Sequence, residues 1–185
     1  SSAAGTATPK VAAGYQHTVV LKADGSVWAT GKNDYGQLGV GKTEDELAKT
    51  ATFMPCVDDT GAEIKDAIDI ACGNYHTAVI RAGGALWQCG RNGYGQLGTG
   101  ESGTDTNKTK FVQSQDTNGT ITNVAAVSNG CYAYATLILR PDANGDLELL
   151  GAGSNGSGQL GLGNDNYTDQ TTFVKSAMVD IGRMP

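Results

Sequence analysis

The stretch GQLGVGKT, Gly36 to Thr43, fits in full the pattern of a phosphate-binding loop. In such a loop the glycines let backbone N–H groups wrap phosphates, the lysine reaches the outer phosphates and the hydroxyl binds magnesium. The same frame, however, reads GQLGTGES from Gly95 and GQLGLGND from Gly158, so the glycines belong to a repeat and Lys42-Thr43 is particular to one copy. A second nucleotide pattern, GAGSNG at Gly151 to Gly156, follows the strand-like LELL. That fingerprint must open a helix, and SGQLGLGND is not helix-forming. No cofactor is expected from either.

His17 and His76 are the only histidines and stand at the same place in two copies of the repeat. Neither has a Cys, Asp or Glu at ligand spacing, so each reads as a structural imidazole bonded to backbone, not as a base or a metal ligand. DANGDLE, Asp142 to Glu148, and NDNYTD, Asn164 to Asp169, gather oxygen ligands that suit calcium. A calcium loop of the EF-hand kind needs its glycine at the sixth position, and Gly145 comes at the fourth from Asp142, so a solvated hairpin is expected. Cys56, Cys72, Cys89 and Cys131 permit three pairings but show no CxxC spacing, and read as buried free thiols, with a disulfide framework as the alternative. No nucleophile with a base, paired carboxylates or metal cluster is present to nominate, and the chain is read as having no catalytic residue and no metal.

The elements that carry these residues are repetitive. Gly14, His17, Thr18, Trp28, Gly31, Asn33, Tyr35, Gly36, Gln37, Leu38 and Gly39 recur 59 residues on, from Gly73 to Gly98. A looser third copy has Gly153, Asn155, Gly158, Gln159, Leu160 and Gly161, with Leu150 in place of the tryptophan, no histidine, and four extra residues upstream of Gly153. Each copy reads as four short strands. In the second these are Ala67 to Cys72, His76 to Arg81, Leu86 to Cys89 and Lys110 to Gln113. Asp24-Gly25 suits a two-residue hairpin turn. HTVVL and HTAVI are apolar on both faces, as expected of strands buried between stacked sheets. The fold class expected is all-β, with propeller blades of four antiparallel strands in three repeats.

VAAGYQHTVVLKADGSVWATGKNDYGQLGVG and IACGNYHTAVIRAGGALWQCGRNGYGQLGTG resemble the repeats of the regulator of chromosome condensation family. The resemblance covers Val11 to Gly163 and implies a β-propeller, usually of seven blades. Three copies cannot close such a ring. Val11, Ile70, Val124 and Ile181 share one phase, which divides the chain into a linker or tail (1–10), repeats 11–69, 70–123 and 124–180, and the start of a further repeat (181–185). Ring closure is then expected from further sequence, or from association of copies in which the tail near Met178 to Ile181 completes a neighbour's first blade.

Hairpin geometry places the functional surface. Because the Asp24-Gly25 tip lies at one end of its strands, Tyr15 and Gln16 emerge with Asn33, Asp34 and Tyr35 at the other end. Asn74, Tyr75, Asn92 and Tyr94 do the same in the second copy. Tyrosine combines a large rigid ring with a hydroxyl, and this rim is the candidate protein-binding site.

A net charge of −6, with no Lys/Arg cluster, gives no footprint for binding a nucleic-acid backbone, and no apolar run approaches a membrane span. The partner expected is a protein, met by a non-enzymatic interaction module. The alternative that the family resemblance implies is guanine-nucleotide exchange on a small GTPase, with no residue here matched to that activity one by one. Low Lys/Arg with abundant Gly, Asn and Thr resembles secreted or cell-surface bacterial proteins.

Overall fold

The computed structural model describes residues 7–183. It is nearly all-β, with two four-stranded antiparallel sheets and a third in which four antiparallel strands are extended by a two-stranded hairpin, stacked in chain order. The first blade holds β1 (Lys10–Ala13), β2 (His17–Leu21), β3 (Val27–Lys32) and β4 (Lys49–Pro55). The second holds β5 (Ala67–Cys72), β6 (His76–Arg81), β7 (Ala85–Gly90) and β8 (Lys108–Gln113). A small hairpin of β9 (Gln115–Asp116) and β10 (Gly119–Thr120) precedes the third blade, which holds β11 (Ala126–Ser128), β12 (Ala135–Pro141), β13 (Leu147–Gly153) and β14 (Gln170–Lys175).

The alternation of each strand sends one set of side chains to each neighbouring blade. Val19, Leu21, Val27 and Ala29 of the first blade join Ile70, Val79 and Cys89 of the second in one core, with Leu38 and Phe111. Ala78, Ile80 and Leu86 leave the opposite face of the second blade and meet Ile138, Leu150, Ala152 and Phe173 of the third. The middle blade is thus buried on both sides, which is why HTAVI is apolar throughout. In the first blade Val20 and Trp28 remain half-exposed, on the face that corresponds to Val79 and Trp87. On the third, Leu137, Leu139 and Leu149 line an open apolar pocket with Met178 and Ile181. The two open faces are therefore matching halves of the contact already made twice inside the chain.

Two local readings change, and a third is located. Gly25 has φ of 79° while Asp24 stays out of the left-handed region, and Lys22 N–H donates to Ser26 O; the turn is the three-residue form with a glycine at its end, not the two-residue one. The third blade starts later than the hydrophobic pattern implies. Val127 pairs with Ile138 as Ile70 pairs with Val79, whereas Val124 donates to Gly84 O as Ala67 does to Gly25 O. Val124 thus holds the place of Ala67. The four added residues lengthen the β12–β13 hairpin, whose last pair is Pro141 with Leu147.

Of the expected linker, residues 1–6 lie outside the described residues, while Ala7 is buried and its N–H donates to Ala23 O. Of the expected further repeat, residues 184–185 lie outside; Gly182 O accepts from Leu147 N–H and Arg183 forms a bridge with Asp146.

Candidate functional site

The repeat signature is a self-wired loop. Asn33 Oδ1 accepts from Leu38 N–H, and its Nδ2 donates to Lys42 O and Leu47 O; Gln37 Oε1 accepts from Tyr35 N–H. Asn92, Gln96, Leu97 and Tyr94 reproduce these contacts, and Asn155, Gln159, Leu160 and Ser157 do so again. Asn33 and Asn92, which the hairpin argument placed on the rim, are fully buried. Their amides hold the loop and face no partner, because a loop with this many turns leaves backbone groups that only such a side chain reaches. The same wiring settles the phosphate-loop pattern. Gly36 N–H donates to Asn33 O, Gly39 N–H to Gly36 O and Gly41 N–H to Thr109 O, while Thr43 N–H donates to Glu46. Most of the donors that would cradle a phosphate are used, and β3 leads into no helix.

His17 Nε2 lies 3.0 Å from Thr77 Oγ1, and His76 Nε2 the same distance from Thr136 Oγ1. The imidazoles bridge blades through a threonine, rather than meeting backbone directly as the sequence suggested. The Thr77 hydroxyl proton goes to Gln37 O at 2.7 Å, so the histidine must donate from Nε2. Burial lowers the His17 pKa to about 4 and that of His76 to about 3, which keeps both rings neutral. Ala135 takes the histidine's place in the third blade.

Cys56, Cys72 and Cys89 are buried free thiols, and burial pushes all three up, Cys72 to about 12; Cys131 is exposed. In the acidic hairpin, Asp142 Oδ1 accepts from Asn144 N–H and Asp146 N–H. Among the described residues no group of three His, Cys, Asp or Glu side chains is placed to hold a metal ion.

The tyrosines come together at the rim opposite the hairpin tips. Backbone bonds zip the three turns there: Tyr15 N–H donates to Asn74 O, and Asn74 N–H to Ala133 O. Asn74 is buried in that seam. The Tyr15 ring meets Tyr75 edge-on at 5.7 Å and Tyr132 at 5.3 Å, and Tyr35 lies 5.0 Å from Tyr75. Tyr94 packs with Tyr134 at 5.3 Å. Arg91 joins the two groups, its guanidinium 5.2 Å from the ring centres of both Tyr35 and Tyr134 and about 6 Å from those of Tyr75 and Tyr94. Tyr15, Tyr94 and Tyr132 are exposed, as is Gln16; Asp34 is half-buried, 2.6 Å from Lys32.

Sequence reasoning missed Arg91, Tyr132 and Tyr134. Tyr134 was findable, since it stands 59 residues after Tyr75. The missing histidine hid the register.

Stacked four-stranded blades joined through their loops define a β-propeller repeat protein. Its repeats are those of the regulator of chromosome condensation family. Two models described as "Regulator of chromosome condensation (RCC1) repeat" match, one at residues 10–37 and 67–96 and the other at 24–80. The chain is 32% identical over 170 residues to the ultraviolet-B receptor UVR8 of Arabidopsis thaliana, covering 92% of this chain and 34% of that protein. It is 30% identical over 166 residues to the probable E3 ubiquitin-protein ligase HERC4 of Mus musculus, covering 90% of this chain and 14% of that one. Over 89 residues, 48% of this chain and 18% of the other, it is 36% identical to a secretion-regulating guanine nucleotide exchange factor of Bos taurus. Among solved structures, human WBSCR16 superposes with a TM-score of 0.69 at 24% identity, covering 94% of this chain and 40% of that one. Prp20p of Saccharomyces cerevisiae does so with 0.64 at 20%, covering 90% and 37%. The chain thus spans between 14% and 34% of the length of these curated relatives.

Proposed function

We propose that this chain is a non-enzymatic protein-interaction module whose binding face is the tyrosine rim. The observation that carries the reading is the continuous ring-to-ring contact from Tyr132 through Tyr15 and Tyr75 to Tyr35, continued through Arg91 to Tyr94 and Tyr134. Clustered tyrosines on a rigid scaffold offer contact area at low entropic cost. In the same reading the ring is completed by further blades, from a longer chain or from further copies, because the open faces of the first and third blades match. Light scattering separates the two sources: one chain mass for the first, a multiple for the second.

The test of the binding face is quantitative affinity capture with the wild-type chain and a Tyr35→Ser/Tyr75→Ser variant. Proteins retained by the wild type and lost by an equally stable variant support the reading; equal recovery overturns it. A second reading, exchange on a small GTPase, draws on the likeness to the bovine exchange factor. Accelerated release of a fluorescent guanine nucleotide from purified small GTPases would favour it.

A further inference from the structure

Resting on the interaction reading above, we propose that the rim recognises an acidic peptide segment, whose carboxylate docks on Arg91 between the tyrosines. Arg81, Arg140 and Arg183 all contact carboxylates, whereas Arg91 has no such partner among the described residues. The repeat explains why. Arg91 stands where the first copy has Lys32, and Lys32 is paired at 2.6 Å with Asp34, two residues on. In the second copy that aspartate is replaced by Gly93. The place a carboxylate occupies in one blade is thus open in the next, beside a cation of the same register.

The surroundings suit the same occupant. Among the described residues, no rim tyrosine hydroxyl bonds to the chain, so the face presents unused donors around one guanidinium. Four rings flank that half-buried guanidinium, and its fork of N–H groups suits a charge-assisted bond to a planar carboxylate. Asp34, the acid of the equivalent loop in the first blade, is engaged by Lys32. Phosphate recognition uses clusters of arginines, and here there is one.

Gly93 supplies the test. Its φ lies outside the left-handed region, and a Cβ there would sit 3.4 Å from Arg91 Nε with no closer neighbour. Gly93→Asp should therefore fill the site from within. A random twelve-residue peptide library is panned on the immobilised wild-type chain, and an enriched peptide is synthesised with its acids and with Gln/Asn in their place. The expected result is enrichment of Asp/Glu-containing peptides, with affinity falling at least tenfold on amidation, on Arg91→Gln and on Gly93→Asp. Melting curves matched to the wild type establish that both variants fold, and Arg91→Gln alone suffices if Gly93→Asp does not. Neutral or basic enriched peptides, acidic ones indifferent to both variants, or no enrichment at all would overturn the proposal. Peptides lost on Tyr35→Ser/Tyr75→Ser yet indifferent to Arg91→Gln would leave the interaction reading standing without its acidic partner; peptides indifferent to the tyrosines too would remove both.

Discussion

Thr77 Oγ1 accepts a hydrogen bond from His17 Nε2 of the preceding blade and passes its own proton to Gln37 O, so one hydroxyl ties two blades. Thr77→Val removes both bonds, leaving the buried His17 N–H unpaired and Gln37 O with only the Cys89 thiol at 3.6 Å, at an expected cost of about 1–3 kcal/mol. Thr18 holds the same repeat position on the open face of the first blade, so Thr18→Val should cost less than about 0.5 kcal/mol. Urea titration of the two variants compares them.

The neutral histidines set a pH dependence. Their folded pKa values, about 4 and about 3, lie below the unfolded value, so the unfolded chain binds more protons between them. Stability is full above about pH 6.5 and falls as pH drops, by about 1.4 kcal/mol per pH unit for each ring. Between pH 6.5 and 4.5 this slope precedes the titration of Asp58 and Glu148. Burial alone would raise those two carboxyls, but hydrogen bonds from Thr60, Arg81 and Ala62, and from Arg140 and Lys175, hold them below the usual range. Melting temperature against pH should fall in that window for the wild type and flatten for His17→Asn/His76→Asn.

Small hairpins clasp successive blades through one ion pair each: Arg81 reaches Asp58 at 3.2 Å, and Arg140 reaches Asp116 at 2.7 Å. The Asp116 side chain is only 7% exposed. Arg140→Ala strands that carboxylate and should cost about 2–3 kcal/mol, below the full figure for a buried pair because Arg140 keeps some solvent. Glu63→Ala breaks an exposed pair with Lys65 and should stay within about 0.5 kcal/mol. Thermal melts of both variants measure the contrast.

The glycine before each histidine is a matter of space. A Cβ on Gly73 would lie 1.9 Å from His76 Cε1, whereas one on Gly156 meets nothing within 4 Å. Gly73→Ala must displace a ring held by Thr136, and a loss of about 2–4 kcal/mol is expected, in the range of severe overpacking. Gly156→Ala should be neutral. Denaturant midpoints of the two proteins decide it.

Much of this was legible in the sequence because the repeat is long and its residues are wired to one another. The GQLG loop is written three times since Asn33, Gln37 and their counterparts satisfy the loop's own backbone. What the sequence could not give was direction: Asn33 and Tyr35 are two residues apart, yet one turns inward and the other joins the rim. The hairpin clasps were also missed, because Asp58 and Asp116 sit in polar stretches that differ in length and composition. The third blade's phase slipped by three residues where Val124 offered an apolar residue ahead of Val127.

The central claim, that the tyrosine rim is the binding face, is tested most directly by site-specific photo-crosslinking. A benzoylphenylalanine is placed at Tyr75, or at Ala143 on the opposite hairpin rim, and covalent adducts formed in extracts of cells expressing the chain are mapped. The account predicts a discrete protein adduct from position 75, competed by unlabelled wild-type chain, and none from position 143. Adducts confined to position 143 would contradict it.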